Sequence, residues 1–271
     1  MVSLNREDIL RVANIVRDVT GNDVQEKNYS MLESRMRTHL MKLGFDSMAE
    51  YWNHFSVNET VERKTLQSLM TTHYTFFFRE YGHFEVLQKW IDENESRLKA
   101  RFSQTKAPVR VWSAACSRGQ EVYSLAMFLE INLLKAHGVP FEIVGTDIDP
   151  ESVEIARNGV YPIKEVNTIP QTYLSGFWKR GTGSIKDFAA VQPVLKSRVR
   201  FEALNLLETK SWSEKSLFDV IFCRNVFIYF SPENVKSIAL DLSWRLDGAG
   251  LFVSGMSEPL RFDGWALESV G

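Results

Sequence analysis

The sequence contains only two cysteines in 271 residues, and this scarcity excludes two kinds of site. Cys116 and Cys223 each lie in a stretch that we predict to be a buried strand, and they lack the paired spacing of a zinc site or of a disulfide framework. Free cysteine is among the residue types most often found in protein cores. We therefore interpret both as reduced core thiols of a cytosolic protein.

Long apolar runs and an excess of charge of one sign are also lacking. The first ten residues, MVSLNREDIL, carry charges and no apolar signal segment, and no later run approaches the length of a membrane span. A formal net charge of -2 provides no general attraction to nucleic acid. The five histidines show no metal-ligand spacing. We expect no secretion, membrane insertion, nucleic-acid binding or bound metal.

Glycine is scarce where a nucleotide-binding protein would use it. The stretch VWSAACSRGQEVYSLAM, residues 111 to 127, has the pattern of a buried strand, a turn and an amphipathic helix, and its turn contains Gly119 alone. A pyrophosphate needs several glycines there, because its oxygens sit against backbone N–H groups at the helix N-terminus. The turn therefore argues against NAD or FAD and favours a ligand without phosphate.

The pattern of the sequence changes near residue 100. Residues 5 to 70 contain helical patterns and no convincing strand, whereas short β-rich runs alternate with amphipathic helices from Val109 onward. Such alternation predicts an α/β fold with a doubly wound parallel sheet, whose ligand lies at the carboxyl ends of the strands. We place a helical domain at 1–90 and the α/β domain at 91–271, with ESRLKARFSQTKAP (95–108) as a polar linker. Aromatic residues around a Gly-Thr-Gly turn indicate an inserted β-subdomain at about 172–200.

Polar side chains follow three of the predicted strands and would meet at one sheet edge. Asp147 ends the strand EIVGTD, Asn205 follows RVRFEAL, and Arg224 and Asn225 follow DVIFC. A carboxylate at such a position can accept both hydroxyls of a ribose, and an amide can read an adenine edge. Asp147 has an alternative role as the cap of the next helix, for which Asp149 competes. Together the strand ends indicate a nucleoside site.

Five motifs that occur in order give the chain a family resemblance. TTHYTFFFRE (71 to 80), VWSAACSRGQEVYSLAM, GTDID, NLL followed by FDVIFCRNVFIYF, and GMSEPL resemble the successive motifs of the bacterial chemotaxis receptor methyltransferases, the CheR family. The resemblance implies an all-α N-terminal domain and a Rossmann-like domain that uses S-adenosylmethionine (AdoMet), with a small antiparallel β-subdomain inserted in it. AdoMet has a ribose and an adenine but no phosphate, which accounts for a turn with one glycine.

The resemblance also implies which residues contact the cofactor. They are, in chain order, His73, Thr75, Arg79, Glu121, Asp147, Asn205, Leu206, Arg224 and Asn225. In these roles Glu121 neutralises the ammonium of the methionine moiety, Asp147 holds the ribose and Arg79 faces a carboxylate. Asn205 and Leu206 frame the adenine.

The reaction that the resemblance implies is methyl transfer to glutamate carboxylates on the cytoplasmic helices of chemoreceptors. A glutamate, with a pKa near about 4.3, is already ionised at neutral pH, so the reaction needs no general base. Arg79 and Tyr229 are the candidate catalytic residues, as holders of the incoming carboxylate. Tyr229 has the alternative role of packing before the helix cap Ser231. We expect a cytoplasmic monomer.

Two other functions remain open at this point. The first is an AdoMet enzyme that acts on a small molecule or on nucleic acid. The second is a catalytically weak module that binds AdoMet or docks on receptors, and two departures from the family motifs keep it open. His73 stands where the family usually has asparagine, and Gln120 where it often has glutamate.

The motif segment TFFFRE also has an alternative interpretation, as an ordinary buried aromatic segment and not part of the cofactor site.

A helix in the N-terminal region carries a possible docking surface. In residues 30 to 43, Arg35, His39 and Lys42 recur at helical spacing and form a basic stripe beside the apolar face. The stripe either steers and aligns glutamate-rich receptor helices or is only solvated surface.

The inserted subdomain carries a second possible partner site. In the family, the edge strand of this subdomain in some members binds a short peptide at the receptor C-terminus, adding it as a further strand. Phe177, Trp178 and Phe188 would supply an aromatic pocket for such a peptide. Alternatively, these aromatic residues only seal a small insert against the main sheet.

Overall fold

The computed structural model describes residues 4–22, 24–70, 74–262 and 267, and the chain divides into two compact units. The first comprises Met1–Thr72 with Phe227–Ser237, and the second comprises His73–Val226 with Ile238–Gly271. The α-helices are α1 Arg6–Thr20, α2 Tyr29–Leu43, α3 Met48–Val57, α4 Glu59–Met70, α5 Gly82–Thr105, α6 Gln120–Leu129, α7 Pro150–Asn158, α8 Ile163–Val166, α9 Pro193–Lys196 and α10 Pro232–Ser243. The strands are β1 Val109–Ala114, β2 Phe141–Asp147, β3 Val160–Pro162, β4 Trp178–Arg180, β5 Phe188–Val191, β6 Val199–Ala203, β7 Phe218–Cys223 and β8 Leu246–Ser254. None of the helices within these described ranges is both long and apolar enough to cross a membrane.

In the first unit, α1 to α4 pack around one apolar core. Helix α1 begins at a capping box in which Asn5 Oδ1 accepts the backbone N–H of Asp8 at 2.8 Å, and it ends at Gly21 in the left-handed conformation. Helix α3, which the sequence patterns did not predict, begins where Ser47 Oγ accepts the backbone N–H of Glu50 at 3.2 Å. The side chains that are completely shielded from solvent in this core include Val12, Val16, Leu32, Leu40, Tyr51 and Leu66.

The segment Phe227–Ser237 belongs to the first unit because its backbone pairs with the end of α1. Phe230 forms an isolated antiparallel bridge with Asn22. Asn234 Nδ2 donates to the backbone carbonyl of Gly21 at 3.4 Å. Residues that follow the end of β7 are therefore built into the helical unit, which no local sequence pattern indicated.

The predicted basic stripe on α2 is wrong for one of its three members. His39 is 7% exposed, and its Nε2 lies 2.8 Å from Glu62 Oε2 on α4. Arg35 is half-buried and donates from Nη1 to the backbone carbonyl of Leu69 at 2.6 Å. Lys42 alone of the three is exposed. Helical spacing placed His39 on the flank of α2, but the buried carboxylate of α4 draws the imidazole inward.

The second unit is built on a five-stranded parallel sheet with the order β6-β2-β1-β7-β8. Strand β1 lies at the centre, paired from Val109↔Phe141 to Ala114↔Thr146 with β2 and from Val111↔Val220 to Ala114↔Cys223 with β7. The chain first adds β2 and β6 on one side and then returns to add β7 and β8 on the other. The predicted doubly wound α/β fold is confirmed. The direction of winding reverses beside β1, and open α/β sheets bind ligands at the carboxyl ends of strands at such a point.

The predicted linker is wrong, because helix α5 runs through most of it to Thr105. Leu98 is 1% exposed and belongs to the core of the second unit. Arg101 Nη1 and Nη2 donate to the two carboxylate oxygens of Asp219, in β7, at 2.6 and 2.8 Å. Arg97 Nη1 donates to Asp247, in β8, at 3.1 Å. The polar composition of this stretch reflects charges that pair with carboxylates of the sheet.

The inserted subdomain is a three-stranded antiparallel sheet with the order β3-β5-β4. The sequence patterns predicted its hairpin but not strand β3. Phe177 is 2% exposed, and Trp178 packs edge-on against Phe77 at a ring-centroid distance of 5.3 Å. Phe188 is 44% exposed. Two of the three aromatic residues therefore seal the insert, and the third is accessible.

Both cysteines are buried and free, as the sequence predicted. Cys223 ends β7, whereas Cys116 lies in the turn after β1 and not in the strand itself. Burial raises the pKa of both thiols well above its ordinary value. Both therefore stay protonated and unreactive at neutral pH.

Substitution at Leu98 tests whether the end of α5 is an integral part of the core. We expect Leu98→Ala to lower the free energy of unfolding by about 2–4 kcal/mol, because it removes a buried side chain and leaves a cavity. Gln104→Ala, at an exposed position of the same stretch, is the control and should change the stability by less than about 0.5 kcal/mol. Urea unfolding monitored by tryptophan fluorescence measures both. Equal stabilities for the two variants would contradict the assignment.

Candidate functional site

The turn between β1 and α6 is held in an unusual backbone conformation. Ala115, Ser117 and Gly119 all have positive φ, at 66°, 51° and 88°. The backbone N–H of Cys116 donates to the carbonyl of Thr146 in β2 at 2.8 Å, so the turn is tied to the neighbouring strand. Non-glycine residues adopt this conformation at an energetic cost and keep it only where their surroundings enforce it. Such a turn presents backbone groups in one fixed arrangement.

Neighbouring residues of the protein leave no room for a side chain at Gly119. A Cβ atom at this position would lie 2.7 Å from the Cβ of Ala156 in α7 and 2.9 Å from the hydroxyl of Tyr161 in β3. Tyr161 in turn donates to the backbone carbonyl of Arg118 at 2.6 Å. The single glycine of the turn therefore permits α7 and the inserted sheet to approach the start of α6.

Asp147 lies at the carboxyl end of β2 and is 4% exposed. Its Oδ2 accepts the backbone N–H of Ser117 at 2.7 Å, and its Oδ1 accepts that of Asp149 at 3.0 Å. Burial raises the pKa of Asp147 and these hydrogen bonds oppose the shift, with a resulting pKa of about 6. Asp149, and not Asp147, caps α7 by accepting the backbone N–H of Ser152 at 3.0 Å. The backbone N–H groups of Ser117, Ile148 and Asp149 all stabilise the ionised carboxylate, and a carboxylate has about four acceptor sites, so a further donor can still be bound.

A buried ion-pair cluster lies beside this turn, at the end of β7. The side chain of Arg224 is 2% exposed, and its Nη1 donates to Glu121 Oε2 at 2.9 Å. Its Nη2 donates to Glu80 Oε2 at 3.0 Å and to the backbone carbonyl of Arg79 at 2.6 Å. The other oxygen of Glu121 accepts the hydroxyl of Ser113, in β1, at 2.7 Å. The structure thus brings Glu121 and Arg224, both predicted site residues, into direct contact with each other.

Glu80 is a central member of the cluster that the sequence reasoning did not single out. It accepts from Arg224, from Asn225 Nδ2 at 3.0 Å and from the backbone N–H of Met256 at 3.4 Å. Burial would raise the pKa of Glu80, but hydrogen bonds from Asn225 and Arg224 outweigh it and lower the pKa to about 2. Burial and the charge of Arg224 lower the pKa of His83, whose Nδ1 lies 3.4 Å from Glu80 Oε2. The position of Glu80 at the end of the motif TFFFRE was the signal in the sequence that could have indicated its role.

The segment 74–81 contains both buried aromatic residues and a partly exposed arginine. Phe77 and Phe78 belong to the core, and the backbone N–H of Phe78 donates to Ser124 Oγ at 2.9 Å. Arg79 donates from Nη1 to the backbone carbonyl of Tyr74 at 2.9 Å, and its side chain is 26% exposed. Thr75 is half-buried in the same segment. The aromatic interpretation of TFFFRE is therefore right for two of its residues, while Arg79 stays accessible.

Asn205 and Leu206 follow β6, on the far side of β2. Asn205 Oδ1 accepts the backbone N–H of Leu207 at 3.1 Å and so caps a short 3-10 helix, Leu206–Ser211. Leu206 is 5% exposed. The backbone N–H of Leu204 donates to the carbonyl of Asp147 at 2.9 Å, which holds the ends of β6 and β2 together.

Two predicted residues lie outside this arrangement of the second unit. His73 is outside the residues that the structure describes. Tyr229 belongs to the first unit, where it is half-buried in the 3-10 helix Phe227–Tyr229. Ser231 Oγ accepts the backbone N–H of Asn234 at 3.3 Å, as expected of the cap of α10. Within the described residues, no group of three or more histidine, cysteine, aspartate or glutamate side chains has the arrangement of a metal site.

Comparison with known proteins identifies what the chain is similar to. The family model described as CheR methyltransferase, SAM binding domain, matches residues 73–268. The chain is 35% identical to chemotaxis protein methyltransferase 2 of Pseudomonas aeruginosa, over 98% of this chain and 91% of that protein. It is 32% identical to the chemotaxis protein methyltransferase of Salmonella typhimurium, over 95% of this chain and 85% of that protein. Its identity to the Escherichia coli protein of the same name is also 32%, over 95% and 86%.

The packing around Gly119 can be tested by adding a single methyl group. We expect Gly119→Ala to lower the free energy of unfolding by about 2–4 kcal/mol, because it combines an unfavourable positive φ with a clash against α7. Gly138→Ala is a matched control, since Gly138 has φ 71° and its Cβ would meet nothing within 4 Å. That variant should lose only about 1 kcal/mol. Denaturant unfolding of both proteins measures the difference, and equal losses would show that the close approach is unimportant.

Proposed function

Because the chain belongs to the CheR methyltransferase family, we propose that it transfers the methyl group of AdoMet to glutamate side chains of bacterial chemoreceptors. The chain is an AdoMet-dependent methyltransferase of the chemotaxis type. The observation that carries the proposal is the match of the SAM-binding family model over 73–268, the range that contains the polar strand ends and the Arg224 cluster. The proposed substrate lies on cytoplasmic receptor helices, so we place the enzyme in the cytoplasm. We also propose that it acts as a monomer.

The charges at the strand ends fit the cofactor. Four carboxylates, Glu80, Glu121, Asp147 and Glu258, lie there with two guanidinium groups, those of Arg79 and Arg224. When all are ionised the surplus is two negative charges. AdoMet carries a sulfonium, an ammonium and a carboxylate and is therefore a net cation. The negative charge at the strand ends attracts it.

The proposed contacts follow from the chemistry of each side chain. Asp147 would hold the ribose hydroxyls, Glu121 the ammonium and Arg79 the carboxylate. Asn205 and Leu206 would frame the adenine. The remaining members of the proposed cofactor set are His73, Thr75, Arg224 and Asn225.

When bound, AdoMet supplies an activated methyl group on a positively charged sulfur. The protein has to position a carboxylate that is already ionised, since the ordinary pKa of glutamate is about 4.3. Positioning and exclusion of water are therefore the main contributions of the chain. Arg79 has two alternative roles, to face the carboxylate of the cofactor or to hold the incoming one. It is suited to the second because its Nη1 donates to the backbone carbonyl of Tyr74 and its side chain is partly exposed. The other catalytic residue that we propose is Tyr229.

The proposal is tested with methyl-labelled AdoMet and membranes that contain chemoreceptors. We expect base-labile label on receptor protein, as is characteristic of a methyl ester. Arg79→Ala should lower kcat by about a hundredfold, because it removes a charged donor that positions the reacting carboxylate. Arg97→Ala, which removes an arginine paired with Asp247, is the matched control and should keep its activity. Label on small molecules or nucleic acid would favour a different methyltransferase, and cofactor binding without any label would favour a binding module.

The role of Asp147 predicts how cofactor affinity depends on pH. Ionised Asp147 accepts the ribose hydroxyls, and its pKa of about 6 means that it takes up a proton as the pH falls through that value. The affinity for S-adenosylhomocysteine, measured by calorimetry, should therefore fall about tenfold between pH 7.5 and pH 5.0. Asp147→Ala should weaken binding by about 2–4 kcal/mol at neutral pH. Asp147→Asn is the control that cannot titrate, and the fall with pH should be lost in it. An unchanged fall in that variant would assign the titration to another group.

We further propose that strand β4 binds a C-terminal receptor peptide. Among the described residues, β4 pairs only with β5, so its other edge is available for an added strand. Phe188 is exposed on the adjacent strand and would contact peptide side chains. Such tethering raises the local concentration of substrate without entering the chemistry. In the labelling experiment, receptors without the peptide should therefore be methylated more slowly at low concentration and equally fast at saturation.

A further inference from the structure

Asn225 is held in an uncommon backbone conformation directly after β7. Its φ is 58°, in the left-handed region that non-glycine residues rarely adopt, although asparagine tolerates it better than most. Two carboxylates hold it there. Its backbone N–H donates to Glu258 Oε2 at 2.6 Å, and its side-chain Nδ2 donates to Glu80 Oε1 at 3.0 Å. Both the backbone and the amide of Asn225 are therefore fixed by anions.

Glu258 is built tightly into the end of the neighbouring strand. It is 5% exposed, and the same Oε2 also accepts the backbone N–H of Gly255 at 3.0 Å. A Cβ at Gly255 would lie 2.5 Å from this oxygen and 2.9 Å from the backbone N of Asn225. Only glycine leaves room for the contact between Glu258 and Asn225. The carboxylate therefore bridges the ends of β7 and β8, which pair in parallel up to Cys223↔Ser254.

The contact with Glu80 determines which way the amide of Asn225 presents its atoms. A carboxylate can accept a hydrogen bond but cannot donate one, so the NH2 group must face Glu80. The carbonyl Oδ1 of Asn225 is thereby oriented away from Glu80 as a hydrogen-bond acceptor. An acceptor in this position suits the ammonium or a hydroxyl of the cofactor, whose other proposed contacts include Arg224 and Glu121.

We propose that Glu258 is a positioning residue for AdoMet binding, which acts by holding the backbone of Asn225 in the left-handed conformation that aims its side-chain carbonyl at the cofactor. This inference rests on the proposed function, because it assigns Asn225 to the cofactor. A buried carboxylate that accepts two backbone N–H groups makes charge-assisted hydrogen bonds, which are stronger than those of a neutral group. Glu258 itself does not touch the cofactor, and its effect is transmitted through Asn225.

The experiment measures the affinity for S-adenosylhomocysteine by calorimetry in four proteins: the parent, Glu258→Gln, Asn225→Gly and the double variant. We expect Glu258→Gln to weaken binding about tenfold, because a neutral amide holds the backbone N–H groups less strongly. Asn225→Gly should also weaken binding, because it removes the proposed acceptor. The double variant should bind no more weakly than Asn225→Gly alone, since glycine adopts positive φ unaided and Glu258 then has nothing to position.

A matched control separates positioning from a general loss of stability. Glu130→Gln removes a carboxylate of equal burial, 5% exposed, that pairs with Arg198 at 3.1 Å. It should lower the thermal unfolding temperature and leave the affinity unchanged. In methylation assays, Glu258→Gln should raise the KM for AdoMet about tenfold and change kcat by less than about threefold.

Each outcome bears on the inference. Unchanged affinity in Glu258→Gln, or losses in the double variant that add up from the two single variants, would overturn the positioning role of Glu258. An affinity loss in Glu130→Gln equal to that in Glu258→Gln would overturn it as well, since it would trace the loss to stability. If the parent protein binds no S-adenosylhomocysteine, the proposed function itself fails, which is a different result. Tight binding by the parent, a tenfold loss in Glu258→Gln and no further loss in the double variant support the inference.

Discussion

A buried guanidinium organises the carboxyl edge of the sheet. Arg224 is almost completely shielded from solvent, and its charge is compensated by Glu121 at the start of α6 and by Glu80. A buried charge that loses one of its partners is strongly unfavourable, so the segments that supply the partners are held together. The turn after β1, the segment 74–81 and the end of β7 therefore share one geometry. Any ligand at this edge meets a surface whose charges are already paired and ordered.

Backbone strain is concentrated around the same cluster. Among the described residues, six that are not glycine have positive φ: Phe78, Glu80, Lys106, Ala115, Ser117 and Asn225. All but Lys106 lie in the turn after β1, in the segment 74–81 or at the end of β7, the three segments that meet at Arg224. Residues keep such conformations only where their surroundings over-determine them, as the hydrogen bonds to Glu258, Glu80 and Asp147 do here. This strain replaces the run of glycines that phosphate-binding turns use, and the ligand of this family has no phosphate.

The polar strand ends were predictable, whereas their partners were not. A strand pattern that ends in Asp147 or in Arg224 places that residue at the sheet edge, because parallel strands end on the same side. Glu80 ends the motif TTHYTFFFRE and Glu258 lies within GMSEPL, but no periodicity indicates that both would reach Asn225. The errors at α5 and at His39 have the same origin. Charged residues were interpreted as solvent-facing, although Arg101 and His39 each face a buried carboxylate from another element.

By itself, the sequence determined the alternation of strands and helices and the order of the motifs, and the resemblance of those motifs to the CheR family implied AdoMet-dependent chemistry. These features depend on residues that are close together in the chain, since periodicity, caps and turns are local. Only the tertiary structure decided which charges meet, which of them are buried and which residues carry backbone strain. Arg224 and Glu80 are 144 positions apart in the chain, and their contact exists only because the sheet brings the two segments to one edge. Electrostatic pairing depends on that proximity and on the exclusion of water, and no local sequence pattern predicts either of them.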